Sequence, residues 1–261
     1  MSAEPIIEVE NLTIGYARDG EEAVLLQDVS FNVLRGEVFV ILGGSGSGKS
    51  TLLKHMIGLY KPLSGRITID GDDIVTARGA ARRSIMRKFG VTYQMGALFG
   101  SMSTLENVRL PLEEFTEFDD DAIDLIARTK LYLVGLSAAA HRAPAELSGG
   151  MQKRAAIARA MALDPAIVFL DEPSAGLDPI TSVDLDRLIM RLARTLGITF
   201  VVVTHELPSI FTIADRVVML DSAVKSLVAL DTPARLRDEC PNPWVRSFMT
   251  RQPPRHEGGS P

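Results

Sequence analysis

The sequence has one cysteine, one tryptophan and no long apolar run. A single cysteine excludes an intrachain disulfide and a metal site built from several thiolates, and it is typical of a reducing compartment. Apolar stretches such as Val38–Leu42 and Ile167–Leu170 are far shorter than the ~20 residues of a membrane span. The first ten residues, MSAEPIIEVE, lack the basic and apolar regions of a signal peptide. We therefore expect a cytosolic chain.

An excess of positive charge is also missing. The chain has 28 basic and 33 acidic residues, for a net charge of -5. Proteins that bind nucleic acid by broad neutralisation of phosphates carry the opposite balance, so we expect no nucleic-acid partner. The length of 261 residues suits one large α/β domain or two small ones.

Short β-branched runs alternate with helical patterns, which predicts an α/β fold with a mostly parallel sheet. Strands are predicted at Ile6–Ile14, Val29–Val33, Glu37–Leu42, Arg66–Ile69, Gly90–Tyr93, Ala166–Leu170, Thr199–Thr204 and Arg216–Leu220. Helices are predicted at Lys49–Ile57, Asp119–Leu133, Gly150–Leu163 and Ile180–Leu196. The first two strands alternate in polarity, which indicates a half-exposed antiparallel flank.

A glycine-rich segment gives the strongest local signal. It fits G-x-x-x-x-G-K-[ST] and consists of Gly43, Gly44, Ser45, Gly46, Ser47, Gly48, Lys49 and Ser50, with Thr51 opening the next helix. Its backbone N–H groups converge on phosphate oxygens, the lysine reaches the β- and γ-phosphates, and the Ser50 hydroxyl faces Mg²⁺. An ordinary Gly/Ser turn would not need a buried strand before it and a helix after it. The segment therefore predicts a P-loop for a nucleoside triphosphate.

Two adjacent carboxylates end the apolar run Ile167–Leu170. At the end of a strand the chain turns, so Asp171 and Glu172 can both address one site. We assign Asp171 to Mg²⁺ and Glu172 to polarisation of the attacking water. A solvated acidic turn is the alternative, and the upstream P-loop makes it the weaker one.

The segment Leu147-Ser148-Gly149-Gly150-Met151 precedes an alanine-rich helix. Alone it would be an ordinary N-cap. In order, however, the P-loop, LSGG, FLDEP and a strand ending Val203-Thr204-His205 resemble the motif set of ABC-transporter ATPases over roughly Ile6 to Leu236. Met151 stands where many members have glutamine, which leaves the phosphate-facing serine and glycines intact.

That resemblance implies roles for further residues. Tyr16 would stack on adenine, with a core tyrosine as the alternative, and Gln94 would be the Q-loop glutamine that also reaches Mg²⁺. Ser148, Gly149 and Gly150 would be the signature motif, residues 174–178 the D-loop, and His205 the γ-phosphate sensor.

The resemblance also implies an architecture. We expect a P-loop NTPase fold over residues 1–240, with a RecA-like mostly parallel sheet, an antiparallel β flank and a helical subdomain at about 96–160. Residues 241–261 would be a C-terminal extension with a mobile end from Gln252. Its apolar cluster, Trp244–Met249, would dock on another subunit.

Partners follow from the same resemblance. ATP with Mg²⁺ would lie between Lys49 of one copy and Ser148 of a second, in a head-to-tail dimer under an integral-membrane permease. Four segments are similar to those of ATPases of MCE-type lipid transporters: Gln94-Met95-Gly96-Ala97-Leu98-Phe99, the triplet at 106–108, Ser148-Gly149-Gly150-Met151-Gln152-Lys153-Arg154 and Asp178-Pro179-Ile180-Thr181. That similarity implies phospholipid transport at the cytoplasmic face of an inner membrane. It also implies a periplasmic MCE-domain protein and a small cytoplasmic STAS-domain subunit.

Other functions remain open at this point. The cargo could instead be an amino acid or another solute, or the chain could serve lipoprotein release. ABC ATPases that act on DNA carry long coiled-coil insertions and those that act on ribosomes carry two cassettes, and this sequence has neither. A non-catalytic nucleotide-binding module would not need Lys49, Asp171, Glu172 and His205 together.

Overall fold

Ten strands form two sheets, and the structure, a computed structural model, describes residues 4–18, 21–94 and 96–252. In chain order the strands are β1 (Pro5–Arg18), β2 (Glu21–Leu34), β3 (Val38–Gly43), β4 (Ser64–Ile69), β5 (Asp72–Asp73), β6 (Phe89–Thr92), β7 (Ile167–Asp171), β8 (Thr199–Val203), β9 (Arg216–Asp221) and β10 (Ser226–Asp231). The larger sheet has the order β10-β9-β3-β8-β7-β6 and is parallel except for β10. The smaller sheet, β2-β1-β4-β5, is antiparallel. The predicted parallel sheet and antiparallel flank are confirmed.

Nine α-helices occur in the described residues. They are α1 (Lys49–Met56), α2 (Gly79–Met86), α3 (Thr104–Phe115), α4 (Asp120–Leu133), α5 (Gly149–Ala160), α6 (Pro179–Leu196), α7 (Leu207–Ile213), α8 (Pro233–Asp238) and α9 (Pro243–Thr250). Within the part of the chain that the structure describes, none of these helices has both the length and the apolar composition of a membrane span.

The central strand β3 separates two hydrophobic cores. Every residue of β3 is buried, and successive side chains face opposite sides of the sheet. Val38, Val40 and Leu42 pack in the core against the helices α3 to α7. Phe39 and Ile41 pack in the core beneath the antiparallel sheet and α1. The sheet is thus covered on both faces, as its continuous apolar strands predict.

From residue 96 to residue 160 the described chain is helical. The helix α3 begins with a capping box, in which the Ser103 hydroxyl accepts from the Glu106 amide and the Glu106 carboxylate accepts from the Ser103 amide. The helices α3, α4 and α5 share one apolar core through residues such as Val108, Leu131 and Ala155. That core also contains Val40 of β3, so these helices pack on the sheet.

The chain after residue 240 packs on the helical side of the sheet. In α9, Val245 and Met249 are buried, while Trp244 and Phe248 are half-buried, with their ring centroids 5.6 Å apart and their planes tilted by 51°. Half of the predicted docking cluster therefore belongs to the core. Of the predicted mobile end, residues 253–261 lie outside the described residues.

Candidate functional site

Four neighbouring strands bring the predicted site residues to one edge of the sheet. The parallel strands β3, β8, β7 and β6 lie side by side in that order. Their carboxyl ends lead, respectively, into the P-loop, His205, Asp171–Glu172 and Gln94. In open α/β sheets, ligands bind at this edge.

Close packing shapes the P-loop. A Cβ atom on Gly43 would lie 2.5 Å from the Leu220 carbonyl oxygen and 2.5 Å from Ser47 Oγ, so only glycine fits. Gly48 caps α1 with φ 92°, a left-handed conformation that glycine adopts without steric cost. The backbone amides that follow therefore open toward solvent at a helix N-terminus, which is a phosphate-binding arrangement.

Lys49 is held within this loop. Its ammonium donates to the carbonyl oxygens of Gly43 and Gly44 at 3.0 and 2.9 Å. Burial lowers the pKa of Lys49, and the nearby carboxylates of Asp171 and Glu172 oppose that shift. A phosphate oxygen is a charged acceptor and therefore binds an ammonium group more strongly than a carbonyl oxygen does. We expect the lysine to exchange its carbonyl acceptors for phosphate when nucleotide binds.

Ser50 and Asp171 meet across 121 residues of sequence. The serine hydroxyl donates to the Asp171 carboxylate at 3.0 Å. A hydroxyl and a carboxylate oxygen at this distance fit Mg²⁺, a hard cation that uses few protein ligands and completes its shell with water and phosphate. The Gln94 side chain is exposed, and its backbone carbonyl accepts from Lys153.

Glu172 has an unusual conformation. Its φ of 48° lies in the left-handed region, which costs a non-glycine residue roughly 1–2 kcal/mol. One carboxylate oxygen, Oε1, lies 2.8 Å from His205 Nδ1, and the other, Oε2, is buried without a hydrogen-bond partner. The imidazole itself is 61% exposed. The site thus contains a carboxylate with one unused acceptor, beside a histidine open to solvent.

Tyr16 lies against the P-loop helix. Its hydroxyl is 3.1 Å from Thr51 Oγ1, and its side chain is 51% exposed. The alternative of a core tyrosine is therefore wrong, because half of the side chain is open beside the nucleotide loop. An open aromatic face at this place can stack on a base.

The signature segment starts α5. The Ser148 hydroxyl accepts from the Met151 amide at 3.3 Å, as in an ordinary N-cap. Ser148 and Gly149 are exposed, whereas Gly150 is buried against Thr181 of α6. No hydrogen bond between described residues joins Ser148, Gly149 or Gly150 to the P-loop of the same chain.

Two cations to which the sequence motifs assigned no role hold the Q-loop. Lys153 donates to the carbonyl oxygens of Gln94 and Glu172, and Arg159 donates to those of Gly96 and Ala97 at 3.1 and 2.8 Å. The only sequence signal was the position of Lys153, one helical turn after the signature glycines and therefore on the same face of α5 as those glycines.

Comparisons with known proteins agree with this geometry. The chain is 40% identical over 243 residues to the "probable ribonucleotide transport ATP-binding protein mkl" of Mycobacterium leprae, covering 93% of this chain and 68% of that protein. It is also 40% identical over 225 residues to the "intermembrane phospholipid transport system ATP-binding protein MlaF" of Escherichia coli K12, covering 86% and 82%. A solved dimeric ATP-binding cassette bound to ADP and Pi superposes with a TM-score of 0.78 at 31% identity, covering 87% of this chain and 98% of that one.

A family model described as "ABC transporter" matches residues 26–175. The matched span starts before the P-loop and ends after Glu172, so it includes both the phosphate-binding loop and the paired carboxylates. Because it covers more than half of the 261 residues, and because the relatives share 40% identity over most of the chain, the chain belongs to the ABC transporter family as an ATP-hydrolysing subunit.

Proposed function

We propose that this chain drives an MCE-type transporter that moves phospholipids between membranes to maintain outer-membrane lipid asymmetry. The ATPase chemistry rests on one observation above all, the Glu172 carboxylate with an unused oxygen beside His205 and next to the Ser50–Asp171 pair. The phospholipid cargo is supported by the function named for the MlaF relatives and by the motif similarities at 94–108, 148–154 and 178–181.

In the proposed reaction Glu172 Oε2 accepts a proton from the attacking water, while His205 turns from Oε1 to the γ-phosphate. Lys49 leaves the loop carbonyls to neutralise the phosphates, and Tyr16 stacks on adenine. Ser50, Asp171 and Gln94 would hold Mg²⁺, which would supply positive charge against the phosphates of the nucleotide.

The site requires a second copy of the chain. Ser148 and the N-terminus of α5 point donors at solvent and, among described residues, make no hydrogen bond to the P-loop of their own chain. A partner in head-to-tail orientation brings these donors to the γ-phosphate of the first copy. Loss of that phosphate on hydrolysis removes charge-assisted bonds from both sides and opens the dimer.

A permease is proposed to dock at the Q-loop. In the segment after Gln94, Ala97, Gly100 and Ser101 are exposed and Phe99 is 50% exposed, with no charged residue among them. An uncharged surface with a protruding aromatic residue suits the short helix of a membrane subunit. The proposed complex lies at the cytoplasmic face of an inner membrane, with a periplasmic MCE-domain protein and a cytoplasmic STAS-domain subunit.

Purification of the chain with its partners tests the cargo. The tagged chain is isolated from its own membranes in mild detergent, and co-purifying proteins and lipids are identified by mass spectrometry. We expect a permease, an MCE-domain protein and phospholipid. Recovery of a solute-importer permease without an MCE-domain protein would replace the phospholipid proposal and leave the ATPase unaffected.

A further inference from the structure

Lys153 lies between two loops of the site. It follows the signature glycines by one helical turn in α5. Its ammonium donates to the Gln94 carbonyl oxygen and, at 3.3 Å, to the Glu172 carbonyl oxygen. These carbonyls follow β6 and β7, which are neighbouring parallel strands. One cation therefore joins the signature helix, the Q-loop and the end of the strand that carries the paired carboxylates.

The backbone of Glu172 needs such support. With φ 48°, it has left the conformations that a non-glycine residue prefers, and such residues persist only where the surroundings hold them. Its amide donates to the Val203 carbonyl at 2.8 Å, and its carbonyl accepts from the Ala175 amide at 3.2 Å. Lys153 supplies the second donor to that carbonyl. Because Cβ leaves the backbone at a fixed angle, the orientation of this peptide group sets the direction of the Glu172 Cα–Cβ bond, from which the side chain reaches His205.

The Q-loop is fixed to the same helix at a second place. Arg159 donates to the Gly96 and Ala97 carbonyls, and Gly96 lies over α5, with Ala156 Cβ 3.7 Å from the position its own Cβ would take. A displacement of the Q-loop is therefore coupled to a displacement of α5. Through Lys153 that displacement also reaches the peptide group of Glu172.

From this geometry we propose that Lys153 is a positioning residue, which holds Glu172 in its hydrolytic orientation and ties that orientation to the Q-loop. The proposal rests on the proposed role of Glu172 as the base. Lys153 is half-buried, and burial lowers its pKa while the carboxylates of Asp171 and Glu172 oppose that shift. Its hydrogen-bond acceptors are backbone oxygens.

The test separates positioning from two simpler roles of a lysine. A general electrostatic role would change ATP affinity, and a folding role would lower the melting temperature. In Lys153→Met the side chain keeps most of its length and loses its donors, whereas Lys153→Arg keeps donors. Each variant is measured in the assembled transporter, for kcat and KM of ATP hydrolysis, binding of a fluorescent ATP analogue, and melting temperature.

We expect Lys153→Met to lower kcat roughly 10- to 100-fold, because small misplacements of a catalytic group have effects of this size. ATP affinity should stay within about twofold, and Lys153→Arg should recover most of the rate. Arg128→Met is the matched control, since it removes an exposed cation of α4 whose ion-pair partner among the described residues is Asp124 at 2.6 Å, and it should leave kcat unchanged. An unchanged kcat in Lys153→Met overturns the proposal. The proposal is also overturned if lower ATP affinity or a lower melting temperature accounts for the slower rate, and if Lys153→Arg does not restore the lost property.

A second background separates this proposal from the one on which it rests. Lys153→Met is combined with Glu172→Gln, and hydrolysis is followed in a single turnover. A residue that acts through Glu172 adds little once that carboxylate is absent, so the combined rate should lie within about twofold of Glu172→Gln alone. Multiplied losses would show that Lys153 acts independently. Near-normal turnover in Glu172→Gln alone would instead refute the base assignment.

Discussion

Glu172 has a strained backbone and a carboxylate of which only one oxygen has a hydrogen-bond partner among the described residues. Its side chain is only 13% exposed, and Oε2 has no partner although a buried acceptor left unpaired costs about 1–3 kcal/mol. The interaction of Oε1 with His205 accounts for one oxygen only. A group kept in this state at the carboxyl end of β7 has an acceptor free for a water molecule, which is what a general base requires.

Replacement of Glu172 by glutamine tests this at the residue scale. The amide keeps the shape and the contact with His205 but cannot accept a proton from water. We expect ATP binding to persist and turnover to fall by roughly 10²–10⁴-fold, leaving a dimer with trapped ATP. Turnover is measured by phosphate release, and the trapped dimer by light scattering with and without ATP. Turnover close to that of the wild type would remove the assignment.

Gly150 joins two elements, α5 and α6. A Cβ on Gly150 would lie 2.4 Å from Thr181 Cγ2, and Thr181 cannot turn away freely because its hydroxyl donates to the Asp178 carboxylate at 2.5 Å. The first turn of α6 is in turn capped by Asp178, which accepts from the amides of Ile180 and Thr181 at 3.0 Å. The signature helix and the D-loop are therefore in direct contact within one chain.

At this element scale, Gly150→Ala should be destabilising. Overpacking costs about 1–3 kcal/mol, more than the gain of up to about 1 kcal/mol from the better helix former. Thr181→Ser in the same chain removes Cγ2, keeps the hydroxyl and should restore stability. Gly149→Ala is the control, because its Cβ would meet only Leu177 Cδ2, at 3.4 Å. Denaturant unfolding of the isolated chain measures all four proteins, and equal stability of the two alanine variants would contradict the packing argument.

Sequence patterns predicted the fully buried strands better than the other elements. β3, β7 and β8 are found within a residue or two of their predicted bounds, because both faces are buried and the apolar runs are continuous. The helix α3 was missed although Ser103 and Glu106 form a capping box, because Pro111 interrupts its interior. The strand β10 was also missed, since its half-buried residues give no clear pattern.

Site residues could be predicted where residue type and spacing along the sequence alone indicate their chemical role. The P-loop and Asp171–Glu172 follow from residue type and spacing alone. The positive φ of Glu172 and the reach of Lys153 to the Gln94 and Glu172 carbonyls depend on strand order and on the packing of α5, which a sequence pattern does not contain. The hydrogen-bond partners of buried polar atoms are determined by the tertiary structure.

At the scale of the whole molecule, the proposed ATP site is divided into two parts of the chain, each incomplete alone. One half is the strand edge with Lys49, Asp171 and Glu172, and the other is the exposed N-terminus of α5 with Ser148. Helix N-termini and loop amides each bind phosphate weakly alone and strongly when they converge. Nucleotide is therefore expected to be the main contact between two copies.

Cross-linking between two differently marked chains tests this claim most directly. The only native cysteine, Cys240, is buried and is replaced by alanine, and Glu172→Gln retains bound ATP. One preparation then carries Ser45→Cys in the P-loop and the other carries Ser148→Cys in the signature, both at exposed positions. With ATP and a short bifunctional maleimide, a species of twice 28.4 kDa should form in the mixture and in neither preparation alone. ATP-dependent dimers that cross-link within one preparation, or not at all in the mixture, would contradict a site shared between P-loop and signature.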